Sequence, residues 1–141
     1  GKPVDETFRM FPPFYTDCGK NITIGNDVYI NFGCTLLDCG QITIGNHTLL
    51  GPNVSAYSGN HSLDAAERIA GALVPKPITI GNRVWIGGGS TILSGVTIGD
   101  DSVIGAGSIV THDIPSGVLA AGNPCRVLRK ITDKDKVGYS I

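Results

Sequence analysis

Six aliphatic residues fall in register at a period of six: Ile80, Ile86, Ile92, Ile98, Ile104 and Val110. Gly follows four of the first five, as Gly81, Gly87, Gly99 and Gly105. The position four beyond each of those five is small or β-branched: Val84, Ser90, Val96, Ser102 and Ser108. No α-helix carries this period, because its apolar stripe recurs at three and four residues. A coil of short extended sides does. Side chains on a strand alternate faces, so one aliphatic residue per side points inward. The chain then turns a corner, where Gly tolerates the backbone angles and close approach that corners need. One coil cannot bury its own apolar face, so several must stack around a continuous column of Ile and Val. An all-β fold is expected, a parallel β-helix. A sandwich with regular turns does not hold a register of six from residue 80 to residue 110.

The same pattern occurs earlier with gaps. Ile24-Gly25 leads to Val28, Ile30, Cys34 and Leu36; Ile44-Gly45 leads to Thr48, Leu50-Gly51, Val54 and Ala56. The step from Ile24 to Ile44 is twenty rather than eighteen, which puts two extra residues near Asp38-Cys39-Gly40. The 141 residues are expected to form one domain, with repeats over about 22–56 and 78–110. Between the repeat blocks, residues 57–77 lose the period and read as a protruding loop that includes Gly59-Asn60-His61. Loops of this length on a rigid scaffold commonly carry function. The C-terminal segment, residues 111–141, holds Arg126, Arg129 and Lys130. It either seals the last coil or offers guanidinium forks to a polyanionic cofactor.

Composition removes several classes of function. Eleven Lys and Arg stand against 12 Asp and Glu, a net charge of −1. That balance gives no electrostatic case for nucleic acid or an anionic membrane as partner. No apolar run approaches the roughly 20 residues of a membrane helix, and the N-terminal residues lack the apolar stretch of a signal peptide. Cys18, Cys34, Cys39 and Cys125 form no C-x-x-C pair and are too few for a disulfide scaffold. Reduced thiols and a cytoplasmic location are expected. The histidines are His47, His61 and His112, and none lies close to another in sequence. A zinc centre built on paired histidines is therefore not expected, and no metal is assigned.

Four segments together resemble one family: Gly59-Asn60-His61; Ile80-Gly81-Asn82-Arg83-Val84-Trp85-Ile86-Gly87; Val96-Thr97-Ile98-Gly99-Asp100; and Gly122-Asn123-Pro124-Cys125-Arg126. They are similar to the galactoside/maltose O-acetyltransferases among the hexapeptide-repeat acyltransferases, from about Phe11 to Asp135. The resemblance implies a left-handed parallel β-helix and a homotrimer with three active sites between neighbouring subunits. It also implies acetyl-CoA as co-substrate and a sugar or similar small hydroxyl compound as acceptor. By the same resemblance His61 is catalytic, and the acceptor pocket holds Asn31 and Asp17. The acetyl-CoA contacts are Gly88, Ala106, Thr111, His112, Arg126 and Arg129, with Trp85 beside the groove.

There are departures from the family pattern. His112 stands where Lys is common, and Gly88 where some members have Ser. Cys39 occupies the place of a second acidic acceptor contact in galactoside enzymes; Asp38, adjacent, is assigned to the acceptor instead. The helical segment that precedes the β-helix in the family is largely missing.

The chemistry suits these residues. A sugar hydroxyl must lose its proton as it attacks a thioester, and imidazole is the side chain fitted to take a proton near neutral pH. No Ser or Cys spacing suggests a covalent relay, so direct transfer in a ternary complex is expected. An antibiotic, serine or amine acceptor is the nearest alternative. A non-catalytic assembly scaffold is another, although it has no use for a His in an interrupting loop.

Overall fold

A computed structural model describes residues 1–139. The chain winds as a three-sided coil. The first turn contains β1 (Arg9–Met10), β2 (Phe14–Thr16) and β3 (Ile22–Ile24). The second contains β4 (Tyr29–Ile30), β5 (Cys34–Leu37) and β6 (Ile42–Ile44). The third contains β7 (Leu49–Leu50) and β8 (Ser55–Tyr57), then the inserted loop with α1 (Ala65–Ile69), then β9 (Ile78–Ile80). The fourth contains β10 (Trp85–Ile86), β11 (Thr91–Leu93) and β12 (Thr97–Ile98); the fifth begins with β13 (Val103–Ile104) and β14 (Ile109–Val110). A hairpin of β15 (Val118–Gly122) and β16 (Cys125–Lys130) closes the coil, followed by a 3-10 turn at Asp133–Asp135.

These strands build three faces. Face one is β1-β4-β7-β10-β13-β15-β16, face two is β2-β5-β8-β11-β14, and face three is β3-β6-β9-β12. Every pairing is parallel except the β15–β16 hairpin. The expected parallel β-helix is therefore the observed fold. The period of six is one face plus one corner, and three of them make a turn: Trp85 pairs with Val103, eighteen residues on.

The inward column is the one the register predicts. Ile80, Ile86, Ile92, Ile98, Ile104 and Val110 are all at most 1% exposed, joined by Ile30, Leu36, Ile42, Ile44 and Leu50 from the earlier coils. The buried hydroxyls beside them are satisfied. Thr48 Oγ1 donates to the Gly81 carbonyl at 2.8 Å, Ser102 Oγ to Pro115 at 2.7 Å and Ser90 Oγ to Gly105 at 3.1 Å. Buried hydroxyls need such partners, and here each serves a carbonyl of another turn. Gly87 shows why corners demand glycine: a Cβ there would meet the Ala106 backbone nitrogen at 2.5 Å.

Two features extend beyond the repeat blocks. Strands occur before residue 22 and after residue 110, because β1 and β2 form a degenerate first turn and the hairpin forms the last. Neither carries the glycine signature, so the six-residue pattern misses them. The inserted loop is ordered. Asp64 caps α1 by accepting from Glu67 N at 2.9 Å, and Arg68 Nη1 donates to the carbonyls of Ser62 and Leu63.

Candidate active site

Most of the residues anticipated from the sequence lie on two edges of the prism; Trp85, Arg126 and Arg129 lie on the strands of face one. Asn31, Gly88 and Ala106 occupy the edge between faces one and two, on different turns. The stacking is fixed by ladder bonds such as Asn31 N to Leu50 O at 3.0 Å, Gly51 N to Ile86 O at 2.8 Å and Gly107 N to Gly88 O at 2.9 Å. Among the described residues, neither the Gly88 nor the Ala106 N–H finds an acceptor. Two backbone donors thus stand free on adjacent turns. Asn31 holds its own turn, its Oδ1 accepting from Phe32 N at 2.8 Å.

Trp85 lies on face one, 54% exposed. With Val103, Leu119 and Ile131 it lines a hollow of about 360 Å³, rimmed by Arg129 and Asp135. Arg126 and Arg129 both lie on β16, yet they differ. Among the described residues, the Arg126 guanidinium bonds only to the Cys125 carbonyl, at 3.2 Å. Arg129 is already engaged: its guanidinium grips Asp135 through two bonds of 2.9 and 2.7 Å. Those Arg129 bonds, with the Thr132 N–H, hold the Asp135 carboxyl down at about 2. An anion reaching Arg129 must compete with Asp135, whereas Arg126 has no carboxylate partner among the described residues.

The other edge, between faces two and three, carries Asp17, Asp38, the inserted loop, Thr111 and His112. His112 Nδ1 lies 2.9 Å from Thr111 Oγ1. Asp38 is not placed to touch an acceptor. Its side chain is fully buried. One carboxylate oxygen accepts from Cys18 N at 3.1 Å and Gly19 N at 2.8 Å, the other from Asn21 N at 2.8 Å. Its own N–H donates to Asp17 Oδ1 at 2.7 Å. The first two turns are each twenty residues long, as Tyr29 to Leu49 shows, and their extra residues form this wider corner. Buried backbone donors there need an acceptor, and Asp38 supplies it. Asp38 is thus the scaffold of the Asp17 loop, which corrects its assignment to the acceptor.

A prediction follows from that geometry. Burial pushes the Asp38 carboxyl up, but hydrogen bonds from Gly19, Asn21 and Cys18 and the contact with Asp17 outweigh it, leaving the group below the ordinary carboxylate value. Asp38→Asn turns an N–H₂ towards backbone donors and is expected to destabilise the chain by about 1–3 kcal/mol. A group with a lowered folded pKa contributes stability that is present above its unfolded value and lost as pH falls through the folded one. Denaturant unfolding at neutral pH should therefore separate the two proteins. In strong acid, below the folded pKa of Asp38, the gap should close.

His61 lies in the inserted loop and is exposed; its backbone forms an antiparallel bridge with Leu73. Its N–H donates to Asn60 Oδ1 at 2.9 Å, and no described residue hydrogen-bonds its imidazole. The ring is free to meet a substrate.

Comparison with known proteins identifies the family and the fold. A family model for the bacterial transferase hexapeptide (six repeats) matches residues 77–112. The galactoside O-acetyltransferase of Escherichia coli strain K12 is 51% identical over 136 residues, covering 96% of this chain and 67% of that protein. This chain belongs to the galactoside/maltose O-acetyltransferase family. Solved structures of the family carry the same fold. A maltose O-acetyltransferase from Clostridium difficile 630 superposes with a TM-score of 0.90 at 45% identity, over 92% of this chain and 70% of that one. A Vibrio cholerae hexapeptide-repeat acetyltransferase complexed with acetyl-CoA superposes with a TM-score of 0.84 at 46% identity, over 86% and 67%. The chain spans about two thirds of the length of several curated relatives, from 59% of one to 69% of another.

Sequence reasoning did not find the Asp38 scaffold, the Asp135 clamp on Arg129 or the hairpin. The first had a signal: two successive twenty-residue turns with Asp at the extended corner of each. The Arg129–Asp135 pair had none, because a contact six residues apart outside any repeat has no pattern.

Proposed function

We propose that this chain transfers the acetyl group of acetyl-CoA to a hydroxyl of a sugar or similar small acceptor. The observation that carries the reading is His61, held on an ordered loop with an uncommitted imidazole. His61 takes the proton of the acceptor hydroxyl as its oxygen attacks the thioester carbonyl. The oxyanion that forms is met by the free N–H of Gly88. The C–S bond then breaks, and the proton on His61 passes to the departing thiolate. No covalent enzyme intermediate is needed. Asn31 and Asp17 orient the acceptor, and the N–H of Ala106 with Thr111 and His112 line the acetyl-CoA path.

The assembly we propose is a homotrimer with each site between two subunits. Two facts favour it. The donors of Gly88 and Ala106 stand on one edge of face two, and the loop bearing His61 springs from the other. In addition, face one carries an outward column of apolar side chains in register, with Leu49 and Trp85 exposed and Val103 and Leu119 half-buried, of the kind that invites association. Edges that belong to different subunits then complete one site.

Arg126 is the main phosphate contact, with Arg129 joining once Asp135 gives way. Hydrogen bonds to charged groups are worth about 1.5–3 kcal/mol each. Arg126→Ala with Arg129→Ala should therefore raise the KM for acetyl-CoA at least about tenfold, while the acceptor KM stays within about twofold. Arg126→Ala alone should produce most of the effect. CoA release, followed across a panel of sugars and amines, is the measurement. A folded protein that releases no CoA with any acceptor and binds no acetyl-CoA would sink the proposal.

A further inference from the structure

We propose that Ser94 is a positioning residue for His61, acting through a clasp at the neck of the inserted loop. The two strands of that neck meet at Ser58 and Lys76, where Lys76 N donates to Ser58 O at 3.0 Å. Ser94 comes from the next turn and ties both. Its hydroxyl donates to Ser58 O at 2.9 Å and accepts from Lys76 N at 3.2 Å. From the turn on the other side, Gly40 N donates to Ser58 Oγ at 2.8 Å, and Ser58 Oγ donates to Leu37 O at 2.6 Å. A Cβ at Gly40 would meet Ser58 O at 2.8 Å and Lys76 N at 2.9 Å, so the neck is seated directly on that turn. The Lys76 side chain packs over Gly95, next to Ser94. The neck is thus held between two turns of the coil, Gly40 on one side and Ser94-Gly95 on the other.

The consequence is directional. His61 lies three residues beyond Ser58, and its bridge to Leu73 continues the ladder that the clasp starts, through Val74 N to Asn60 O at 2.8 Å. With the neck fixed, the angle at which His61 leaves the coil is fixed. Releasing one side lets the loop swing, and small misplacements of a catalytic group are costly in rate. Of the clasp residues, Ser94 is the informative one to change. Ser58 is fully buried, and loss of its hydroxyl strands Gly40 N inside the protein, while Leu37 O keeps only the Ser58 N–H. Ser94 is half-buried, and among the described residues its hydroxyl bonds only to the neck.

This inference rests on the general-base reading of His61, and the test separates the two. Ser94→Ala, Ser94→Thr and His61→Ala are assayed beside the unaltered chain. Ser94→Ala should lower kcat on the order of tenfold, with the KM for acetyl-CoA within about twofold and the melting temperature nearly unchanged. Ser94→Thr keeps the hydroxyl and should restore most of kcat. Limited trypsin digestion of the native proteins gives a readout independent of activity: Ser94→Ala should be nicked faster after Arg68, at the loop tip, than either the unaltered chain or Ser94→Thr. Full kcat in Ser94→Ala beside an inactive His61→Ala overturns this inference alone. So does a loss of kcat that tracks a lowered melting temperature or that Thr fails to rescue, and so does unchanged nicking. Full activity in His61→Ala overturns the general-base reading and this inference together.

Discussion

His61→Ala is expected to lower kcat on the order of 10²-fold or more, the usual contribution of a positioned general base. The affinity for acetyl-CoA and the melting temperature should hardly change. The structure explains why the effect should be confined to chemistry. The imidazole makes no hydrogen bond to a described residue, and the loop is ordered by other groups: the Asp64 cap, the Arg68 bonds and the Ser58–Ser94 clasp. Steady-state kinetics, calorimetry with acetyl-CoA and thermal unfolding of the same preparation decide it. Near-normal kcat, or a loss that comes only with unfolding, would remove His61 from the mechanism. A packing histidine would show the second pattern, because its removal would open the loop.

Ile92→Asp is expected to abolish folding. Ile92 is fully buried and sits between Ala56 and Val110 of the neighbouring turns. Burying an aliphatic side chain of this size stabilises by about 1.5–3 kcal/mol. Replacing it with an unpaired carboxylate adds a desolvation penalty of several kcal/mol. The sum rivals the whole stability of a typical domain, about 5–15 kcal/mol. A solenoid is also poorly placed to absorb the damage, since each turn is held by its neighbours and the lesion lies in mid-stack. Thr91→Asp is the control: Thr91 is on the same strand but on the outer side, half-buried, and its variant should stay soluble. Circular dichroism and size-exclusion elution compare the two. A soluble Ile92→Asp protein that melts like the unaltered chain would refute the inward register.

The column from Ile80 to Val110 was legible because a stacked coil imposes one local rule at every turn. Each inward position needs an aliphatic residue, and each corner needs a residue that tolerates close backbone contact. A local rule repeated five times leaves a period that needs no knowledge of distant contacts. The break at residues 57–77 was visible for the same reason, as the place where the rule fails. Its internal order was not. The cap at Asp64 is a local signal, but the clasp joins Ser58, Lys76, Ser94 and Gly40, which lie on three separate turns. Asp38 shows the same limit. The resemblance placed it at the acceptor because it adjoins Cys39, and only the fold shows three backbone donors converging on it.

The sequence by itself determined the period, the inward column, the site of the insertion and the inventory of reactive groups. These follow from residue type and spacing along the chain, which any six-residue coil must satisfy. Only the tertiary structure decided which of those groups are available. It buried Asp38 beneath the Asp17 loop, locked Arg129 to Asp135 while leaving Arg126 without a carboxylate partner among the described residues, and set the N–H groups of Gly88 and Ala106, which find no acceptor among those residues, on a different edge from His61. The physical reason is that availability depends on what a polar group is already bonded to. For Asp38 those partners come from the neighbouring turn of the solenoid, and for Arg129 from the segment beyond the last strand.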